Sequence, residues 1–187
     1  QSAHGFKLLE YNADTPTTLI ESSVCQWNWF AEQQELGKFP AGANQFNTIW
    51  EAMVQRWKDM RAENGLTNPS ICFVSMDEVD DVATNAMVAE AAKEAGYSVK
   101  MFPISEVGFD TSTHMFLDVD QQPLHTCFKL YPWEWMMSDS YSKYLPTSLT
   151  RWIEPSWKML LSNKMLLPLL WHLFKREPRA KWLVPSY

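Results

Sequence analysis

The chain is poor in glycine, with six in 187 residues, and it holds only three cysteines. So few glycines leave little material for phosphate-cradling loops. None of the spacings G-x-G-x-x-G, G-x-x-x-x-G-K-[ST] or G-x-S-x-G occurs. Cys25, Cys72 and Cys127 are odd in number and far apart, which excludes a disulfide framework and a C-x-x-C zinc pair. His4, His114, His125 and His172 are dispersed, without an H-x-x-x-H metal spacing. Positive charge is also short: 16 basic against 22 acidic residues give a net charge of −6, which argues against sequence-independent nucleic-acid binding. No run reaches the ~20 apolar residues of a membrane span. The most apolar stretch, Met159 to Phe174, is interrupted by Ser162, Asn163, Lys164 and Pro168. The first residues, Gln1 to Gly5, have neither a basic nor an apolar signal region. The expectation is a soluble cytoplasmic protein with no nucleic-acid or membrane partner.

What is abundant is bulk. Ten Trp, ten Met and ten Phe, with 46% hydrophobic residues overall, suffice for a packed core. Phe6 to Tyr11 reads as a short strand running into the polar turn Asn12 to Pro16. Thr17 or Thr18 is a candidate cap for a helix carrying Leu19, Ile20, Val24, Trp27 and Phe30. Phe46, Ile49, Trp50, Met53, Val54, Trp57 and Met60 line one face of a long helix ending near Asn64-Gly65. Ser70 to Met76 is a continuous apolar run typical of a strand buried on both faces. A helix from Val82 to Ala95 stops at Gly96, and a second strand spans Ser98 to Ile104, which together predict a right-handed parallel crossover. Phe116 to Asp120 and Leu124 to Leu130 predict a hairpin on the sheet's edge. Trp133 to Ser138, Trp152 to Ser162 and Met165 to Phe174 predict helices. The fold class is α/β, a mainly parallel sheet with flanking helices over residues 1–150 and a helical C-terminal part over 151–187.

Three polar clusters could carry chemistry. Glu10, Asn12 and Asp14 share period-two spacing and fall on one side of a strand that continues through them. A carboxylate with an amide carbonyl suits Mg²⁺, although a polar turn capped by Asp14 or Thr15 explains the same residues. Asp77-Glu78-Val79-Asp80-Asp81 leads a helix, where acidic side chains complement the positive end. The same residues at the carboxyl end of a parallel strand would suit a cationic ligand such as a polyamine. Ser162-Asn163-Lys164 is a polar island whose lysine could reach a phosphate, or could lay its stem on apolar surface. Lys129 invites the same two readings. Residue types and spacing alone stop at a soluble α/β domain.

Three segments carry a resemblance. Phe6 to Glu21 resembles the metal-binding strand and turn of the glutathionylspermidine synthase family. Phe128-Lys-Leu-Tyr-Pro-Trp-Glu-Trp-Met136 resembles that family's mid-chain motif. Trp152 to Trp171 is similar to the segment where the pre-ATP-grasp region passes into the ATP-grasp domain. The likeness runs in order over nearly the whole chain, and is closest to stand-alone bacterial relatives without the amidase domain. It implies an ATP-dependent carboxylate–amine ligase, with ATP and Mg²⁺ and with small-molecule substrates, a peptide carboxylate and a polyamine-like amine. Carried over by position, Glu10 and Asn12 would be metal ligands, Thr15 would lie near the substrate, and Lys164 would contact ATP phosphate. Asp80 and Asp81 would face the polyamine, where the family carries a glutamate pair. Trp135 stands where the founding synthase has threonine. The resemblance assigns no catalytic residue here.

The family's R-x-D strand and glycine-rich phosphate loop have no counterpart in this chain. The resemblance therefore implies an internal portion of the enzyme, which alone does not form the amide bond and pairs with the remainder. A non-catalytic module that keeps the fold and binds a small ligand is the alternative.

Overall fold

The structure is a computed structural model, described here for residues 5–63 and 68–186. Its centre is a four-stranded, all-parallel sheet of order β2-β1-β5-β6. Strand β1 (Ser70–Ser75) is buried at every position but the first, as a continuous apolar run requires. Its side chains alternate between two cores. Ile71 and Phe73 face a cluster with Val54, Trp57, Val88, Phe128 and Leu130, while Cys72 and Val74 face Phe102, Phe116, Cys127 and Tyr131. Burying each large side chain contributes about 1.5–3 kcal/mol.

The strand–helix–strand unit forms as its sequence predicts. Helix α3 (Val79–Glu94) joins β1 to β2 (Ser98–Pro103), and the two strands pair in parallel with Ser70 opposite Ser98. Gly96 closes α3 at φ +93°, a conformation that a side chain would strain. Helix α2 (Ile49–Glu63) lays Val54 and Trp57 on the same core. The expected end of this helix at Asn64-Gly65 lies outside the described residues, and Phe46 stands before it, exposed. The first helix begins at Leu19, passes through a π-turn, Glu21–Cys25, and continues into α1 (Gln26–Glu35). No threonine caps it: Thr18, at φ +59°, donates instead to the Thr17 carbonyl.

Three expectations are overturned. Residues 6–11 form no strand; they are exposed, and their one ladder contact is an isolated parallel bridge between Leu8 and Leu183. No sheet neighbour reaches this segment, so its backbone finds no run of partners. The expected edge hairpin is divided between two sheets. β4 (Met115–Leu117) pairs with the short β3 (Gly108–Asp110). The expected turn does close, through the Leu117–Pro123 bridge and the Asp118 and Leu124 amides donating to the Gln122 and Phe116 carbonyls, but no described ladder joins β4 to β5. β5 (Thr126–Leu130) is buried along its whole length and sits between β1 and β6, because burial on both faces suits a central strand. Finally, Trp152 does not open a helix. Arg151–Ile153 extends the sheet as β6, with the Trp152 ring edge-on to Phe116 at 5.1 Å, and Pro155 delays helix α5 to Lys158–Leu161. Helix α4 (Trp133–Met136) and helix α6 (Leu166–Phe174) form within their expected segments.

Candidate functional site

The chain leaves β1 toward β2 on one side and returns through β5 on the other, so a topological switch point lies between β1 and β5. Open α/β sheets bind ligands in the crevice outside the carboxyl ends of the strands at such a point. Two segments border it here: the acidic turn that follows β1 and opens α3, and the Tyr131–Trp135 segment that follows β5. Asp80 and Asp81 occupy the first turn of α3. Asp80 is exposed and Asp81 half-buried. Burial, with Glu78 and Asp80 beside it, raises the Asp81 carboxyl above its ordinary value.

A buried ion pair at the carboxyl end of β5 brings distant parts of the chain to this edge. The Lys129 ammonium donates to Asp14 Oδ1 at 2.6 Å and to the Tyr131 carbonyl at 2.8 Å, and lies 4.7 Å from the centre of the Trp133 ring. Both charged side chains are essentially without solvent exposure. Burial pulls the Lys129 ammonium below its ordinary value, against the opposing pull of Asp14. Asp14 Oδ2 accepts the Trp133 amide at 2.8 Å, and the Trp133 indole N–H donates to the Glu154 carbonyl at 2.9 Å.

The same turn is held from a third direction. Ser162 Oγ accepts the backbone amides of Ala13 and Asp14 at 3.1 and 2.9 Å. The polar island therefore divides its work: Ser162 turns inward to hold the N-terminal segment, while Lys164 stays exposed.

One consequence is a cleft of about 120 Å³ between the two segments, lined by Leu9, Glu10, Tyr11, Ser162, Asn163 and Lys164 among others. Glu10 and Lys164, 154 positions apart in sequence, thus share a cleft without forming an ion pair with each other. The carboxylate is free to meet a cation and the ammonium to meet an anion. Asn12 and Thr15 do not line this cleft, and neither do Asp80 and Asp81. Asn12 is exposed and Thr15 half-buried. Glu10, Asn12 and Asp14 do not share a face, since Asp14 turns into the core while the other two remain outside.

Asp14 and Lys129 form this buried pair, and spacing alone leaves both of them ambiguous. Lys129 lies in a segment that the sequence reads as an edge strand, where a lysine can reach water; with β5 central and buried along its length, the ammonium requires a counter-charge. Nothing local pointed to Asp14 as that partner.

Among the described residues no group of three His, Cys, Asp or Glu side chains could hold a metal ion. Glu10 offers one hard oxygen ligand, which fits Mg²⁺, an ion that keeps several waters and takes substrate phosphates as ligands.

A family model described as "Glutathionylspermidine synthase preATP-grasp" matches residues 1–187. The chain belongs to the glutathionylspermidine synthase family. It is 35% identical over 184 residues to a Haemophilus influenzae protein named "Putative acid--amine ligase", covering 98% of this chain and 45% of that relative. It is 27% identical over 192 residues to trypanothione synthetase of Crithidia fasciculata, covering 90% of this chain and 28% of that protein. It is 24% identical over 206 residues to the bifunctional glutathionylspermidine synthetase/amidase of Escherichia coli, covering 97% and 31%. The chain thus spans less than half the length of these relatives. The parallel sheet with flanking helices is the architecture of this family's pre-ATP-grasp portion. No described helix is long and apolar enough to cross a membrane.

Proposed function

We propose that this chain is the pre-ATP-grasp portion of an ATP-dependent carboxylate–amine ligase. The observation that carries the reading is its 35% identity, over 98% of its length, to a protein named as an acid–amine ligase. In the proposed reaction a substrate carboxylate oxygen attacks the γ-phosphorus of ATP, releasing ADP and giving an acyl phosphate. The amine nitrogen then attacks the acyl carbon, phosphate leaves, and loss of the amine proton gives the amide. Bound Mg²⁺ would neutralise charge on the phosphates.

In this reading Lys164 holds a phosphate oxygen, and Glu10, with Asn12, holds a metal ion across the cleft that Glu10 and Lys164 share. Thr15 lies near the peptide-like carboxylate substrate, and Asp80 and Asp81 receive the cationic amine. A carboxylate pair at the switch-point edge is chemically suited to an ammonium group. The Glu10–Lys164 cleft is walled by the N-terminal segment and by residues 161–167 and encloses only about 120 Å³. We propose that the remainder of a longer polypeptide supplies a further wall, and that the enzyme works in the cytoplasm, where its three unpaired cysteines stay reduced.

The test is isothermal titration of the full-length protein with MgATP. Lys164→Ala and Glu10→Ala are expected to weaken binding about tenfold or more, in the range for losing one charge-assisted contact. Unchanged affinity in both variants would remove the phosphate and metal roles.

A further inference from the structure

A second cavity, of about 250 Å³, opens between the π-turn, the start of α2 and helix α3, and shares no residue with the Glu10–Lys164 cleft. Its walls include Ser23, Trp27, Asn47, Trp50, Glu51 and Met87. The polar groups of these walls are acceptors or already spent. The Ser23 hydroxyl is directed to the Leu19 carbonyl at 2.6 Å and to Met87 Sδ at 3.6 Å. Asn47 uses its amide N–H groups on the Ser23 carbonyl and on Gln45 Oε1, which leaves its own oxygen as an acceptor. The Trp50 indole N–H donates to Glu94 Oε2 at 3.0 Å, so a carboxylate stands at the ring's edge. Glu51 carries a carboxylate that no described residue pairs. None of the lining residues is Lys, Arg or His.

Two indoles, a thioether, a free carboxylate and a free amide oxygen, with no cation among them, make an environment complementary to one class of ligand. We infer that this cavity binds a small organic ammonium ion, seated against Trp27 and Trp50 and paired with Glu51. Aromatic faces attract ammonium groups through the ring quadrupole, and a carboxylate at the rim adds charge pairing. Trp27 and Trp50 make no ring contact with each other: the Trp27 ring meets Phe30 on one side and remains exposed on the other, and Trp50, half-buried, rests one side on the core. A π-turn forms one wall, a departure from α geometry that recurs at functional sites.

The probe is choline, titrated calorimetrically into the full-length protein, with its neutral isostere 3,3-dimethylbutan-1-ol as control. Choline is expected to bind saturably and the alcohol to bind far more weakly. Trp27 and Glu51 are exposed, and Trp27→Phe keeps an aromatic ring beside the buried Phe30. Trp27→Ala and Glu51→Gln should each weaken choline about three- to thirtyfold, and Trp27→Phe should restore part of the loss. Equal binding of the alcohol would overturn the inference, as would the absence of saturable choline binding or indifference to both substitutions.

Discussion

An ammonium group sealed from water must place its donors and its charge, and Lys129 does both with residues far away in sequence. Two hydrogen bonds go to Asp14 and the Tyr131 carbonyl, and the Trp133 ring covers part of what remains. Breaking such a pair from one side strands a buried charge, which costs about 3–5 kcal/mol, whereas removing both charges costs much less. Asp14→Ala and Lys129→Met should each lower stability by about that amount in urea unfolding. The double variant should lose less than the sum of the two. Full additivity would mean that the pair is not coupled. The residue scale is also where spacing misled: Glu10, Asn12 and Asp14 are equivalent in a period-two pattern, yet only Asp14 enters the core.

Among the elements, the β3–β4 turn carries the clearest pH signature. The Asp110 carboxylate accepts from Thr113 Oγ1 at 2.7 Å, from Ser112 Oγ at 2.7 Å and from the Ser112 amide at 2.8 Å. These bonds, the Thr113 hydroxyl's first, favour the charged form and hold the group down at about 2. Because the folded value lies below the ordinary 3.8, the turn's contribution is complete above 3.8 and is lost as pH falls through about 2. Carboxyl-carbon NMR titration should place the Asp110 midpoint near 2, and Thr113→Ala with Ser112→Ala should move it back toward 3.8. A midpoint already near 3.8 in the unaltered protein would contradict this. Sequence patterning does not single this turn out. Its β3 partner strand is only Gly108–Asp110, too short for periodicity to reveal.

At the scale of the whole molecule, apolar surface is left uncovered along the last two helices. Leu160, Met165, Leu169 and Leu173 are each more than half exposed, and the first three line a groove of about 1130 Å³. Patches of this kind mark interaction surfaces. If the remainder of a longer ligase covers them, amide hydrogen exchange over residues 159–174 should be slower in the full-length protein than in this chain alone. In the isolated chain, Leu169→Lys should reduce self-association on sizing columns. Equal exchange in both forms would assign the groove to another partner.

The strand–helix–strand unit and the family were legible from residue order, because burial on both faces, a glycine stop and long motifs are written in contiguous stretches. Three things were not. They were the central position of β5, the continuation of the sheet through Trp152, and the pairing of Asp14 with Lys129 across 115 positions. Local periodicity records how much of a segment is buried. Which segment buries it is a long-range choice, settled only when the whole core packs at once.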